Sequence, residues 1–423
     1  MRILFSMIAA LVALFAVPAS AQTYVIHAGA VLADPAGEPS GPSTIFVEDG
    51  RITGIQTGFH QGAPQAEVID LSDKTVLPGL IDLHVHLTGD PGGDFWKEAT
   101  EPDEWGVVVG AKNARLTALA GFTTVREAGS AQQTAFVLRR GTAEGLIPGP
   151  RIVAAGPALA IIGGHADVNG FRPEVNELLD SGFTCTGAVE CAAKVRLASQ
   201  NGADVIKITA TGGVLSQQGR GLDAHFTEDE MQAIAQTAHK LGLKVMAHAH
   251  GARGIKAAAR AGIDTIEHGT FLDEGAARAM RENGTVLIPT LMAFKGVSEG
   301  LGQGVYTPVV EAKIREVYDT AQVFMGKALE WNVPIAFGTD AGVFDHGRNA
   351  EEFALMRGQG MSDRQALASA TTIAARVLGM EGEIGRLAEG YSADIIAVDG
   401  NPLEDVSVLE NVDFVMVRGR VIE

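Results

Sequence analysis

Between about Pro78 and Glu381, short apolar runs alternate with stretches of helical period. The runs GLIDLHVH, FTTVREAG, RIVAAG, DVIKITA, KVMAHAH, TIEHG, TVLIPT and PIAFGTD are rich in apolar and β-branched residues and predict strands. Between them, Trp105 to Ala120 and the segments VECAAKVRLASQNG, TEDEMQAIAQTAHKLG, ARGIKAAARAG and DEGAARAMRENG repeat apolar positions every three or four residues. Several of these stop at Gly, as helices do. Eight such alternations predict an α/β fold, a (β/α)8 TIM-type barrel. The flanks read differently. TYVIHAGAVL, TIFVEDGRITGIQ and AEVIDLSDKTVL near the start, and ADIIAVDG and DFVMVRGRVIE near the end, are strands and turns. They predict one small β-sandwich assembled from both chain ends, residues 22–77 and 382–423, around a barrel of residues 78–381.

Residues 1–21 fit neither part. Met1-Arg2, the apolar run Ile3 to Val17 and Ala19-Ser20-Ala21 follow the plan of a secretory signal peptide cut after Ala21. The apolar run is shorter than the roughly 20 residues that span a bilayer. The expectation is a periplasmic or secreted enzyme with no membrane association after cleavage. In such a compartment Cys185 and Cys191, six apart, can close a small disulfide loop; two buried thiols are the other reading. A net charge of −18, from 33 Lys+Arg against 51 Asp+Glu, argues against a nucleic-acid partner, because phosphate binding needs a basic footprint.

Candidate chemistry collects at the ends of the predicted strands. His84 and His86 end the first, Lys207 lies in the fourth, His248 and His250 end the fifth, His268 ends the sixth and Asp340 ends the eighth. Strand residues two apart share a side, so His84 and His86 can face one centre. At the C-terminal mouth of a barrel, imidazoles and a carboxylate together suit a divalent metal such as zinc. Each residue also has a plainer reading: Asp340 as a helix N-cap, His250 as an orienter of a ligand, Lys207 as a lysine snorkelling from a strand end.

These residues, with VLPGLIDLHVH, GADVIKI, VMAHAHG, IEHG, GTDAG and GRLAEGYSADIIAVDGNP, resemble the amidohydrolase superfamily over nearly the whole mature chain. TTVREAG, IIGGHAD with His165 and TATGGVLS resemble its imidazolonepropionase-like and Xaa-Pro dipeptidase-like branch, which includes ochratoxin-hydrolysing amidohydrolases. The resemblance implies two divalent ions, expected to be zinc: His84, His86 and Asp340 on one, His248 and His268 on the other, and Lys207 between them as an N-carboxylated lysine. It further implies a small-molecule substrate, the amide bond of a dipeptide or N-acyl amino acid, with ochratoxin A as a further candidate, release of a C-terminal amino acid that carries a free carboxylate, and a homo-oligomeric assembly. Asp340 is then the expected proton carrier, and His165 and His250 are expected to act on the substrate carbonyl. For the substrate carboxylate the candidates are Arg220 and Arg348, each of which also reads as a solvated loop arginine. A cyclic-amide hydrolase and a catalytically silent binding protein on the same scaffold are the alternatives.

Overall fold

The computed structural model describes residues 22–219 and 221–423; the expected leader and Arg220 lie outside them. The N-terminal strands are β1 (Thr23–Val31), β2 (Ser43–Glu48), β3 (Arg51–Thr57) and β4 (Glu67–Pro78). Seven parallel-barrel strands follow: β5 (Leu80–Val85), β6 (Phe122–Glu127), β7 (Arg151–Ala154), β8 (Val205–Thr209), β9 (Lys244–Ala249), β10 (Thr265–His268) and β11 (Val286–Ile288). The chain ends with β12 (Ile395–Val398), β13 (Val412–Val417) and β14 (Arg420–Val421).

The terminal strands form one seven-stranded sheet in the order β14-β13-β12-β4-β1-β2-β3. The long strand β4 joins its halves, pairing with β1 in parallel and with β12 antiparallel. The sheet then closes on itself, because Ile52 in β3 donates to Tyr391 O (2.9 Å) and accepts from Gly390 N–H (2.8 Å), just ahead of β12. Both outer hairpins turn through two residues of positive φ, Asp49-Gly50 (49° and 77°) and Arg418-Gly419 (50° and 73°), the type that matches strand twist. The turns touch: a Cβ on Gly419 would lie 2.5 Å from Gly50 Cα, so glycine is required there. One face of the sheet holds Tyr24, Ile26, Val47, Ile395 and Met416 in a core of its own. The alternate residues Ile396, Val398, Val415 and Val417 join the barrel core, as a period of two demands.

In the barrel, β5-β6-β7 and β8-β9-β10-β11 are the two regular ladders. One seam is closed by Leu159, which donates to Lys207 O (2.8 Å) and accepts from Thr209 N–H (3.0 Å). At the other, the predicted eighth strand is an irregular bridge. Leu287 N–H donates to Pro334 O (2.8 Å), Leu83 N–H to Phe337 O (3.1 Å) and Asp340 N–H to His84 O (2.7 Å), so the segment links β11 to β5. Pro334 lacks an N–H and Asp340 has a φ of 64°, which together prevent a regular ladder. The helices Ala188–Asn201, Ala252–Ala261 and Glu274–Asn283 each stop at a left-handed glycine, Gly202, Gly262 and Gly284. Helices Leu291–Glu299 and Pro308–Ala321, which the sequence pattern did not single out, fill the connection after β11. Cys185 and Cys191 are disulfide-bonded at the start of Ala188–Asn201.

Candidate metal-binding active site

The strand ends deliver their polar side chains to one place. His84 Nε2 and His86 Nε2 both lie 3.3 Å from Asp340 Oδ1, and donor atoms of His84, His268 and Asp340 all fall within 4.8 Å of one another. The His268 ring is centred 4.6 Å from that of His248, 5.0 Å from that of His250 and 5.2 Å from that of His84. Local backbone geometry explains part of this convergence. Glu267 and His268 are consecutive, and a regular strand would send them to opposite sides. At His268 φ is 72°, which swings its ring to the side where Glu267 already meets His84. Thr290 and Asp340 share the left-handed conformation, with φ of 47° and 64°. Each such non-glycine residue costs roughly 1–2 kcal/mol, a strain that concentrates at functional sites.

The histidines are held by one nitrogen and leave the other for a ligand. His84 Nδ1–H donates to Glu267 Oε2 (2.8 Å) and His86 Nδ1–H to Gly129 O (2.9 Å). Thr290 spends its hydroxyl proton on Pro289 O, so its oxygen accepts from His268 Nδ1–H at 2.7 Å. In His268 the Nε2 lone pair is therefore left exposed. The Nε2 atoms of His84 and His86 face Asp340; burial alone would lower His86, but Asp340 and Glu127 outweigh it and raise the imidazole above the ordinary histidine value. His248 is reversed: its Nε2–H donates to Gly212 O (3.1 Å) and Nδ1 carries the lone pair. Burial, reinforced by the neighbouring rings, keeps His248 and His268 uncharged by holding them well below the ordinary histidine value.

The charged groups complete the set. Burial alone would raise the Asp340 carboxyl, but His84 and His86 outweigh it and hold the group well below the usual carboxylate range. Lys207 is 5% exposed, and among the described residues no hydrogen bond or ion pair reaches its Nζ. Burial depresses its ammonium against the pull of Glu267 and Asp340. A lysine stranded among ligand-type side chains, four converging imidazoles and one ionised carboxylate are a donor set that suits divalent metal ions.

Of the other expected residues, His165 and His250 reach the cluster. The His165 ring is centred 4.3 Å from that of His248, and its buried Nδ1 has no hydrogen-bond partner among the described residues. His250 Nδ1 pairs with Thr270 Oγ1 (2.7 Å), and its ring faces Phe294 at 6.3 Å between centroids. Arg348 is placed otherwise: all three nitrogens of its guanidinium are engaged by Glu299 (3.0 Å) or Glu351 (2.6 Å). The sequence places Arg126 after the second strand as a partner for Glu127, but the structure pairs it with Glu267, a residue the sequence pattern did not mark. Glu267, fully buried, accepts from His84 and from Arg126 (3.0 Å), while Arg126 Nε donates to Leu83 O (2.7 Å). Glu127, pushed up to about 7 by burial, accepts from Leu87 N–H (2.6 Å) beside His86. Position offers the only signal for Glu267, which precedes His268.

His346 supports the site from behind, bridging Thr117 Oγ1 (2.9 Å) and His86 O (3.2 Å). Burial lowers its imidazole from 6.5 to about 4, and lowers His165 and His250 to about 3. A folded state that keeps such groups neutral binds fewer protons than the unfolded chain, so their contribution is full above pH 6.5 and is lost as pH falls toward these values. Melting of chelator-treated protein is therefore expected to weaken progressively below about pH 6.5, and His346→Gln to flatten that fall by about one proton. An unaltered slope in the variant would show that His346 titrates alike in both states.

Comparison with known proteins fits this geometry. The family model described as the amidohydrolase family matches residues 75–422. Ochratoxinase of Aspergillus niger is 30% identical over 416 residues, covering 92% of this chain and 84% of its own. A crystal structure of a Xaa-Pro dipeptidase with bound methionine in the active site superimposes with a TM-score of 0.88 at 39% identity, covering 95% of this chain and all of that one. A prolidase complexed with N-methylphosphonate-L-proline gives 0.86 at 31% identity, with the same coverage. Small molecules are thus the class of substrate to which this fold and site are suited, and the chain is a hydrolase that belongs to the amidohydrolase family.

Proposed function

We propose that this hydrolase cleaves the amide bond of a dipeptide or N-acyl amino acid and releases the C-terminal amino acid. The observation that carries the reading is the convergence of His84, His86, His248, His268 and Asp340 around the unpaired Lys207. His84, His86 and Asp340 would hold one divalent ion and His248 and His268 a second, with zinc expected at both. Lys207 would join the two after N-carboxylation, which turns a stranded cation into an anionic oxygen ligand. When bound, such ions acidify water and polarise a carbonyl.

The protein groups supply the rest. Asp340, ionised at neutral pH, accepts a proton from the attacking water and passes it to the leaving nitrogen. His165 and His250, held neutral by burial, bind the carbonyl side of the substrate, and Phe294 provides an apolar wall beside His250. The related Xaa-Pro dipeptidase, with methionine in its active site, and the prolidase bound to N-methylphosphonate-L-proline support this substrate class. The same reading has the mature chain exported as a homo-oligomer, in keeping with the Cys185–Cys191 bond.

The test is a hydrolysis screen of zinc-loaded protein against dipeptides ending in Pro, Met, Arg or Phe, N-acyl amino acids and ochratoxin A, with released amino acid and metal content measured together. Release with about two ions per chain is expected. Two ions without release from any of these would discard the substrate class, and turnover of a cyclic amide instead would replace it. Less than one ion in folded protein would remove the metal site.

A further inference from the structure

Lys313 lies inside the helix Pro308–Ala321, far in sequence from the ligand strands, yet it is only 5% exposed. No carboxylate pairs with it among the described residues. Its Nζ donates instead to Gly213 O (2.7 Å), Ser216 O (2.6 Å) and Gln218 O (3.3 Å), with Ser216 Oγ at 3.4 Å. Every acceptor belongs to the loop that leaves β8 just after Lys207. Burying an ammonium in this way is costly unless its donors are filled, so removing it would leave the loop carbonyls without their partner.

That loop is one wall of the site. Gly212 O receives the His248 Nε2–H, and an ideal Cβ on Gly213 would fall 2.3 Å from three atoms of the His165 ring. The loop backbone is therefore pressed against His165, and Gly213 is the residue that lets it approach. Further along, Gln217 N–H donates to Asn169 Oδ1 (2.7 Å), and Gln217 Oε1 accepts from Thr307 Oγ1 (2.8 Å). Gly170 packs on the Gln217 side chain and on Phe95, whose ring lies 5.3 Å from that of Phe171. Loops following β5, β7, β8 and β11 are interlocked through this one segment, and Lys313 fastens it from beneath.

We infer that Lys313 is a positioning residue: by holding the Gly213–Gln218 carbonyls it fixes the wall against which His165 packs beside His248, and so sets the fit of the substrate without touching the metal ligands. The inference rests on the amidohydrolase site proposed above. Its expected signature is a loss confined to substrate fit. Lys313→Met keeps the bulk and removes the donors, and is expected to raise KM about tenfold or more while kcat changes less than threefold and metal content stays at the wild-type value. Lys313→Arg, which restores donors, is expected to recover part of the loss. Gln217→Ala, which loosens the same loop from above without a buried charge, is expected to shift KM in the same direction by a smaller factor.

Hydrogen exchange distinguishes failure of this inference from failure of the functional reading. Amides of residues 211–218 are expected to exchange at least tenfold faster in the Lys313→Met protein while β8 and β9 keep their protection, whichever substrate is found. Unchanged exchange in 211–218 would overturn the anchoring role. Faster exchange with KM unchanged on a confirmed substrate would overturn the link to substrate fit. Loss of metal or of protection throughout the barrel would show Lys313 to be a general structural residue and would also overturn the inference.

Discussion

Asp340→Asn is expected to lower kcat by a factor of about 10³ or more while leaving the fold and most of the bound metal in place. The backbone supports the second half of that statement. Asp340 has a φ of 64°, and asparagine is among the few residues that adopt this conformation readily, so the variant keeps the chain path that places the side chain between His84 and His86. What it loses is the ionised oxygen that can accept a proton, since an amide offers no comparable base. Steady-state kinetics combined with metal analysis and a melting curve would check the result. Activity within tenfold of the parent at full metal content would remove Asp340 from the proton path.

Lys207→Met is expected to move activity and stability in opposite directions. Without metal, the parent buries an ammonium that no hydrogen bond or ion pair reaches among the described residues. Replacing a buried, unpartnered ammonium by an apolar chain of similar length removes a desolvation cost. Chelator-treated variant should therefore melt at or above the parent temperature. In zinc the order reverses: the variant cannot be carboxylated, so at least one ion is lost and turnover falls by a factor of about 10² or more. Lys207→Ala offers a complementary arm, because the cavity it leaves would admit acetate or propionate, and partial recovery of zinc content with these acids would support an oxygen ligand at that place. A variant that retained both ions and full activity would refute the bridging role.

The convergence of polar side chains in the candidate site was legible because strand ends deliver them to one mouth of a barrel. His84 and His86 share a parity, and His248, His268 and Asp340 close their runs. The barrel followed from alternation alone, although the eighth segment bridges rather than forms a regular strand, since Pro334 and the left-handed Asp340 break its ladder. The hidden part depends on distance across the fold. Glu267 looks like the outward neighbour of His268 until a positive φ brings both to the same side. Nothing local in PVVEAKIREVYDTA marks Lys313 as buried, because its partners are supplied by a loop about 100 residues earlier. Arg348 had the right chemistry for a carboxylate, yet Glu299 and Glu351 claim it, and only the packed structure could reveal that.

The sheet that joins both ends of the chain also governs when this protein can fold. Strand β4 runs directly into β5, with Gly79 the lone residue between them, and one edge of β4 is satisfied only by β12. Until residues 395–398 are available, that edge and the apolar face that will meet Ile396 and Val398 remain open. Contacts this distant in sequence make folding slow, because loop-closure entropy is lost before they form. The fold therefore cannot lock until residues 395–398 have arrived to cover that edge.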